Sequence, residues 1–208
     1  MPTDSAPTKR YLTILTQPST AVPLLAAAVM LVLSIRPQWA TWLPFDRQAI
    51  LAGQWWRLLS AHWVHLSPAH ALGNVAGGAL LWWLFAANFT FKNIVATLVT
   101  ASLAVSLGIW FFNPEVEWYV GMSGVLHGFW ALGAVAMWRL DRQLATLALV
   151  GLIVKLWVEW RFGSASSIYL GGATVITAAH RFGALSGLLV AALSRLFKRP
   201  LSTNGESA

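Results

Sequence analysis

The chain has 208 residues, of which 57% are hydrophobic and 10% charged, with 14 Lys and Arg against 7 Asp and Glu. A soluble domain carries roughly 25% charged residues, so a soluble enzyme is excluded, and the bases behind the +7 charge stand singly at the ends of apolar runs, unlike a nucleic-acid-binding face. A mean hydropathy of +0.63 and 13 Trp point instead to an all-α integral membrane protein, with indole rings at the bilayer interfaces.

Residues 1–18 are expected to form a polar cytoplasmic segment. Lys9 and Arg10 precede the apolar run from Ala21 to Ile35, and Arg36-Pro37 follows without a small-residue cleavage site. The first predicted span, 19–36, therefore reads as an uncleaved anchor. Residues 37–66 form a long external loop in which Trp39, Trp42, Phe45, Trp55, Trp56 and Trp63, with Arg47 and Arg57, suggest a segment lying in the outer interface. Ser67-Pro68 is the pattern of an N-cap followed by proline at the first helical position, opening a second span at 67–86. Further spans follow at 93–112, 123–138, 143–161 and 173–194, against the roughly 20 apolar residues that a bilayer requires. The membrane domain is thus 19–196, and 197–208 is a basic cytoplasmic tail. With the N-terminus inside, Lys9, Arg10, Lys92, Arg139, Arg142, Arg195, Lys198 and Arg199 gather on the cytoplasmic side, while Asp46, Glu115, Glu117 and Glu159 fall outside together with Arg36, Arg47, Arg57 and Arg161. Both termini are then cytoplasmic.

Polar side chains within a membrane are costly and mark function by default. Ser123 lies about 24 Å of helix from the anchor Arg139, and His180 about 22 Å from Arg195, at about 1.5 Å per residue. In a core about 30 Å thick both sit near the outer edge. His70, just inside the second span, shares that level. A serine hydroxyl needs an adjacent base, most often His. His127 follows Ser123 by one turn and shares its face, whereas His180 can approach from another helix. His70 and Asn74, one turn apart, can aim two donors at a developing oxyanion. Gly121, Gly124 and Gly128 flank the serine, and Gly183 and Gly187 follow His180, a spacing that lets two helix backbones approach closely. Lys155 and Glu159, one turn apart on the fifth span, read as an interfacial ion pair. Gly163, Gly171 and Gly172 make the loop before His180 suited to a lid. With no Cys there is no disulfide, thiolate metal site or Cys nucleophile, and neither a metal nor a cofactor is expected.

Gly121-Met122-Ser123-Gly124 resembles the GxSG motif of the rhomboid intramembrane serine proteases. The likeness extends to His70-x-x-x-Asn74, to Ala179-His180-x-x-Gly183-x-x-x-Gly187 and to Trp56-Arg57, in family order across about residues 55–190. The resemblance implies a six-helix rhomboid fold and a Ser123–His180 dyad with no Asp orienter. It also implies an oxyanion hole from His70, Asn74 and the Ser123 backbone N–H. Rhomboids commonly carry Tyr where this chain has His127, packed on the catalytic His; Ser-Gly-x-x-His-Gly is instead similar to the rhombosortase subfamily. That likeness implies a bacterial inner-membrane enzyme acting on membrane-anchored or exported proteins with C-terminal GlyGly-type sorting tails. His127 is expected to pack beneath His180, with a hydrogen bond that holds its tautomer, or else to compete as the base.

Other functions compete with this reading. An inactive client-binding relative would have no use for both Ser123 and His180. A haem carrier would leave Ser123 and Asn74 unexplained. A transferase passing the acyl group to an amine shares the same acyl-enzyme, and the sequence does not separate it from hydrolysis.

Overall fold

The computed structural model describes residues 20–35, 38, 41–164 and 175–196. The two terminal segments, Trp39 and most of the expected lid before His180 lie outside the described residues. Six long helices organise the rest: α1 (Ala21–Ile35), α2 (Pro68–Phe85), α3 (Phe91–Phe112), α4 (Ser123–Met137), α5 (Arg142–Phe162) and α6 (Ala178–Leu196). Each coincides with a predicted apolar run. Their starts are set by local chemistry. The Ser67 hydroxyl accepts the His70 N–H at 3.2 Å ahead of Pro68, Thr90 and Asn93 cap each other's backbone, and Asp141 accepts the Leu144 N–H at 2.9 Å. Gly163 then ends α5 at a φ of +78°, a conformation open to glycine.

The polarity of a water-soluble protein is absent. Leu24, Leu25, Leu147, Ile153, Leu185 and Leu189 are exposed on the perimeter, while Asn74, Thr97, Ser106, His127, Glu159 and His180 are buried. Apolar outside and polar inside is the arrangement of a helical membrane protein, in which lipid replaces water. By length and composition α3 and α5 are able to cross a bilayer.

Helix directions follow from which residues meet. Cβ atoms built on Gly77 and Gly133 would touch Leu126 and Phe85 respectively, so α2 and α4 run parallel. The glycines of α4 and α6 meet in the same order, Gly124 with Gly183 and Gly128 with Gly187, so these helices are parallel too. α5 runs the other way: the Trp130 indole N–H donates to the carbonyl of Ala148, early in α5, at 2.9 Å, while Glu159, late in α5, meets His180 beside the start of α4. Hence the starts of α2, α4 and α6 and the end of α5 share one end of the bundle.

The loop between α1 and α2 departs from expectation. Trp42, Trp55 and Trp56 are exposed, as an interfacial segment requires, but Phe45 is fully buried. Phe45 packs with Ile50 and Ala61 against Val105, Ile109 and Ala179. The loop is therefore docked on α3 and α6 and not merely laid in the interface. The strand Phe45–Asp46 pairs antiparallel with Trp118–Tyr119. The Arg47 guanidinium donates to the carbonyls of Trp110 at 3.1 Å, Ile109 at 3.3 Å and Asn113 at 3.1 Å, closing the C-terminal end of α3, where backbone carbonyls lack helical partners. Arg57, buried, donates to Gln54 Oε1 and the Pro44 carbonyl, both at 2.8 Å. His62 is fully buried, with Nε2 at 3.0 Å from the Ser102 carbonyl and 3.1 Å from Ser106 Oγ.

Burial holds the pKa of His62 at about 4, against 6.5 for the free side chain. A base whose folded pKa is lowered adds its full stability above the unfolded value, and that contribution fades as pH falls toward the folded one. The docked loop is therefore expected to loosen between pH 6.5 and about 4. Thermal unfolding in detergent checks this: the Tm of the wild type should fall more steeply with acidification than that of His62→Gln. Equal slopes would show that His62 is not the sensitive group.

Candidate active site

Ser123 is the first residue of α4, so its backbone N–H is one of the helix's unsatisfied N-terminal donors. The turn that delivers it depends on Gly121, whose φ of +121° is rarely open to other residues. A Cβ at Gly121 would also strike the His70 ring, at 2.9 Å from Cε1. The turn is held from both sides. The Gly121 N–H donates to the Ala61 carbonyl at 3.1 Å, and the Tyr119 hydroxyl donates to the Gly121 carbonyl at 2.9 Å.

The glycines on α4 and α6 do what their spacing predicts. Any side chain at Gly183 or Gly187 would run into the carbonyl groups of Gly124 and Gly128. These two helices make the most extensive contact of any pair. This contact brings His180 Nε2 to 2.9 Å from Ser123 Oγ, with Ser123 half-buried and His180 buried.

The resemblance implied a dyad with no Asp orienter, and among the described residues no Asp meets His180. The other ring nitrogen, His180 Nδ1, instead lies 2.7 Å from Glu159 Oε2, across the interface from α5. The expected Lys155–Glu159 pair is present, with Lys155 Nζ 2.5 Å from the second carboxylate oxygen, Oε1. An ionised carboxylate accepts only, so Nδ1 bears the proton and Nε2 offers its lone pair to the serine hydroxyl. Glu159 was missed because an i,i+4 lysine already accounts for it locally. One signal could have found it: about 25 Å of helix separates Glu159 from Arg142, which sets it at the level of Ser123 and His180.

His127 stacks on His180 with ring centroids 4.2 Å apart and planes 11° from parallel, the packing expected of it. The expected hydrogen bond to His180 is not what it makes. His127 Nδ1–H donates to the Ser123 carbonyl, one turn back, at 2.7 Å, and Glu159 holds the His180 tautomer instead. The ligand atoms of His127, Glu159 and His180 lie within 4.8 Å of one another. Stacked rings, however, hold their in-plane lone pairs in two separate, nearly parallel planes, whereas a shared ion would have to lie in both.

The two predicted oxyanion residues lie at the same end of the bundle. The Leu66 N–H approaches His70 Nδ1 at 3.4 Å, which favours the tautomer with the proton on Nε2, the atom beside Gly121. Asn74 is buried, and its Nδ2 has no hydrogen-bond partner among the described residues. It lines one cavity with Met122, the residue before the serine. A buried amide donor left unpaired is costly, and a negatively charged oxygen would satisfy it.

Residues 52–197 match the Rhomboid domain. The chain belongs to the rhomboid family. The family is generally one of intramembrane serine proteases, whose active members act on membrane-protein substrates in the lipid bilayer, and this membership makes the chain a membrane protein of that family. No curated protein matches it. The match spans α2 to α6 and all of Ser123, His127, Glu159, His180, His70 and Asn74.

Proposed function

We propose that this rhomboid is an intramembrane serine endopeptidase in which Ser123 is the nucleophile and His180 the base. The observation that carries the proposal is the 2.9 Å contact between Ser123 Oγ and His180 Nε2. In this reading Oγ attacks the scissile carbonyl carbon as its proton passes to Nε2. The carbonyl oxygen, now negative, is received by the Ser123 N–H, His70 and Asn74. Nε2–H then protonates the leaving amine, and water attacks the acyl-enzyme by the reverse route.

Six spans with both termini cytoplasmic would set this end of the bundle toward the periplasm, where water for hydrolysis is available. The likeness of Ser-Gly-x-x-His-Gly to the rhombosortases supports a substrate class, namely membrane-anchored or exported bacterial proteins with a GlyGly-type sorting tail and a C-terminal transmembrane segment. The test is cleavage of such a tail in vesicles, with mass spectrometry of the new C-terminus. A free carboxylate at the cut marks hydrolysis, an added amine-bearing group marks transfer, and an uncut tail refutes the substrate class.

Asn74→Ala is expected to lower kcat by up to about 10²- to 10³-fold, the range seen when one oxyanion donor is lost, with KM little changed. Steady-state kinetics in proteoliposomes decide it. A raised KM with kcat intact would make Asn74 a substrate contact instead.

A further inference from the structure

Resting on the Ser123–His180 reading, we infer that Glu159 is a positioning residue that completes a serine–histidine–glutamate relay, with Lys155 holding its carboxylate in place. Three observations on α5 and α6 converge on it. The Nδ1–Oε2 distance of 2.7 Å is at the short end for a charge-assisted bond. Glu159 is 6% exposed and His180 4%, so water does not compete for the contact. The second oxygen, Oε1, is taken by the partly exposed Lys155, one turn earlier on α5. A carboxylate inside a membrane is expensive unless paired, and here each oxygen has a positively polarised partner.

The arrangement does two things for the reaction. Before attack, the Nδ1–H···Oε2 bond fixes the ring plane and the tautomer, so that Nε2 faces Ser123 Oγ with its lone pair. When Oγ bonds to the carbonyl carbon, its proton moves to Nε2 and the ring becomes an imidazolium. Its positive charge then lies against the Glu159 carboxylate, with no further proton transferred. Lys155 restrains the carboxylate from the far side, and the stacked His127 ring limits tilt of His180. Substrate does not enter this account, so the effect falls on turnover and not on binding.

The test uses the full-length protein in proteoliposomes. Glu159→Gln keeps the shape and one acceptor oxygen while removing the charge and putting an NH2 donor, which can accept from neither His180 nor Lys155, in place of the other oxygen. It is expected to lower kcat by about 10²–10⁴-fold, by comparison with loss of the acid in other serine hydrolases. KM should be unchanged, and the rate at which a fluorophosphonate labels Ser123 should fall in parallel. Wild-type kcat, or a raised KM with kcat intact, overturns the inference. If Glu159→Gln fails to insert, Glu159→Asp carries the test, since it withdraws the carboxylate from Nδ1 but keeps its charge. Reduced kcat at constant KM supports the relay, and wild-type kcat overturns it. Ser123→Ala, run alongside, separates the two levels. If it is inactive, failure at Glu159 removes only the relay; if it is active, the serine mechanism itself is wrong.

Discussion

Ser123→Ala is expected to lower cleavage by about 10⁶-fold if this site follows other serine hydrolases, leaving only the small residual rate that binding and the oxyanion donors supply. His180→Ala should do nearly the same, and the double variant should be no worse than either single one. Nucleophile and base act as a unit, so removing either abolishes the covalent route. Ser123→Ala removes one oxygen from a half-buried side chain at a helix start, so it should leave folding intact. Initial rates at matched membrane insertion make the comparison. Appreciable turnover by Ser123→Ala, with contamination excluded, would end the mechanism.

Gly183→Ala is expected to have the second largest effect, through architecture and not chemistry. One methyl group there collides with the carbonyl of Gly124, and neither partner is a flexible side chain that could move aside. Helix backbones must separate, at a cost of roughly 3 kcal/mol or more, the upper range of overpacking. Ser123 and His180 would separate with them. Gly73→Ala is the control: its added methyl meets nothing within 4 Å, and alanine is the better helix former. Yield of folded protein, Tm and fluorophosphonate labelling should all fall for Gly183→Ala and hold for Gly73→Ala. A Gly183→Ala protein with normal Tm and labelling would show that α4 and α6 are less tightly joined than their backbones indicate.

Much of this was legible in the sequence because membranes impose few rules. Apolar runs near bilayer length give helices, and a fixed rise per residue turns the distance from Arg139 or Arg195 into a depth. The local devices also read correctly, Ser67 as a cap and Gly183 and Gly187 as a close-approach pair, because each acts over one or two turns. What escaped depends on partners distant in sequence and on groups without a signature. Arg47 bonds to backbone carbonyls more than 60 residues away, and every residue has a carbonyl. Phe45 looked interfacial because aromatic composition does not tell a ring resting on lipid from one pressed between α3 and α6. Glu159 already had a satisfying neighbour in Lys155, and its second partner, on another helix, is reached only after folding.

The glycine contact between α4 and α6 has a consequence for how this protein can change. Ser123 opens α4 and His180 lies in the first turn of α6, so their separation is set by main chain pressed on main chain. Substitutions on the outward faces, at positions such as Leu185 and Leu189, leave that distance alone. The lipid-facing sequence is therefore free to drift and to adapt to membranes of different composition without retuning the reactive pair. Intolerance is concentrated instead at Gly124, Gly128, Gly183 and Gly187, residues that take no part in bond making.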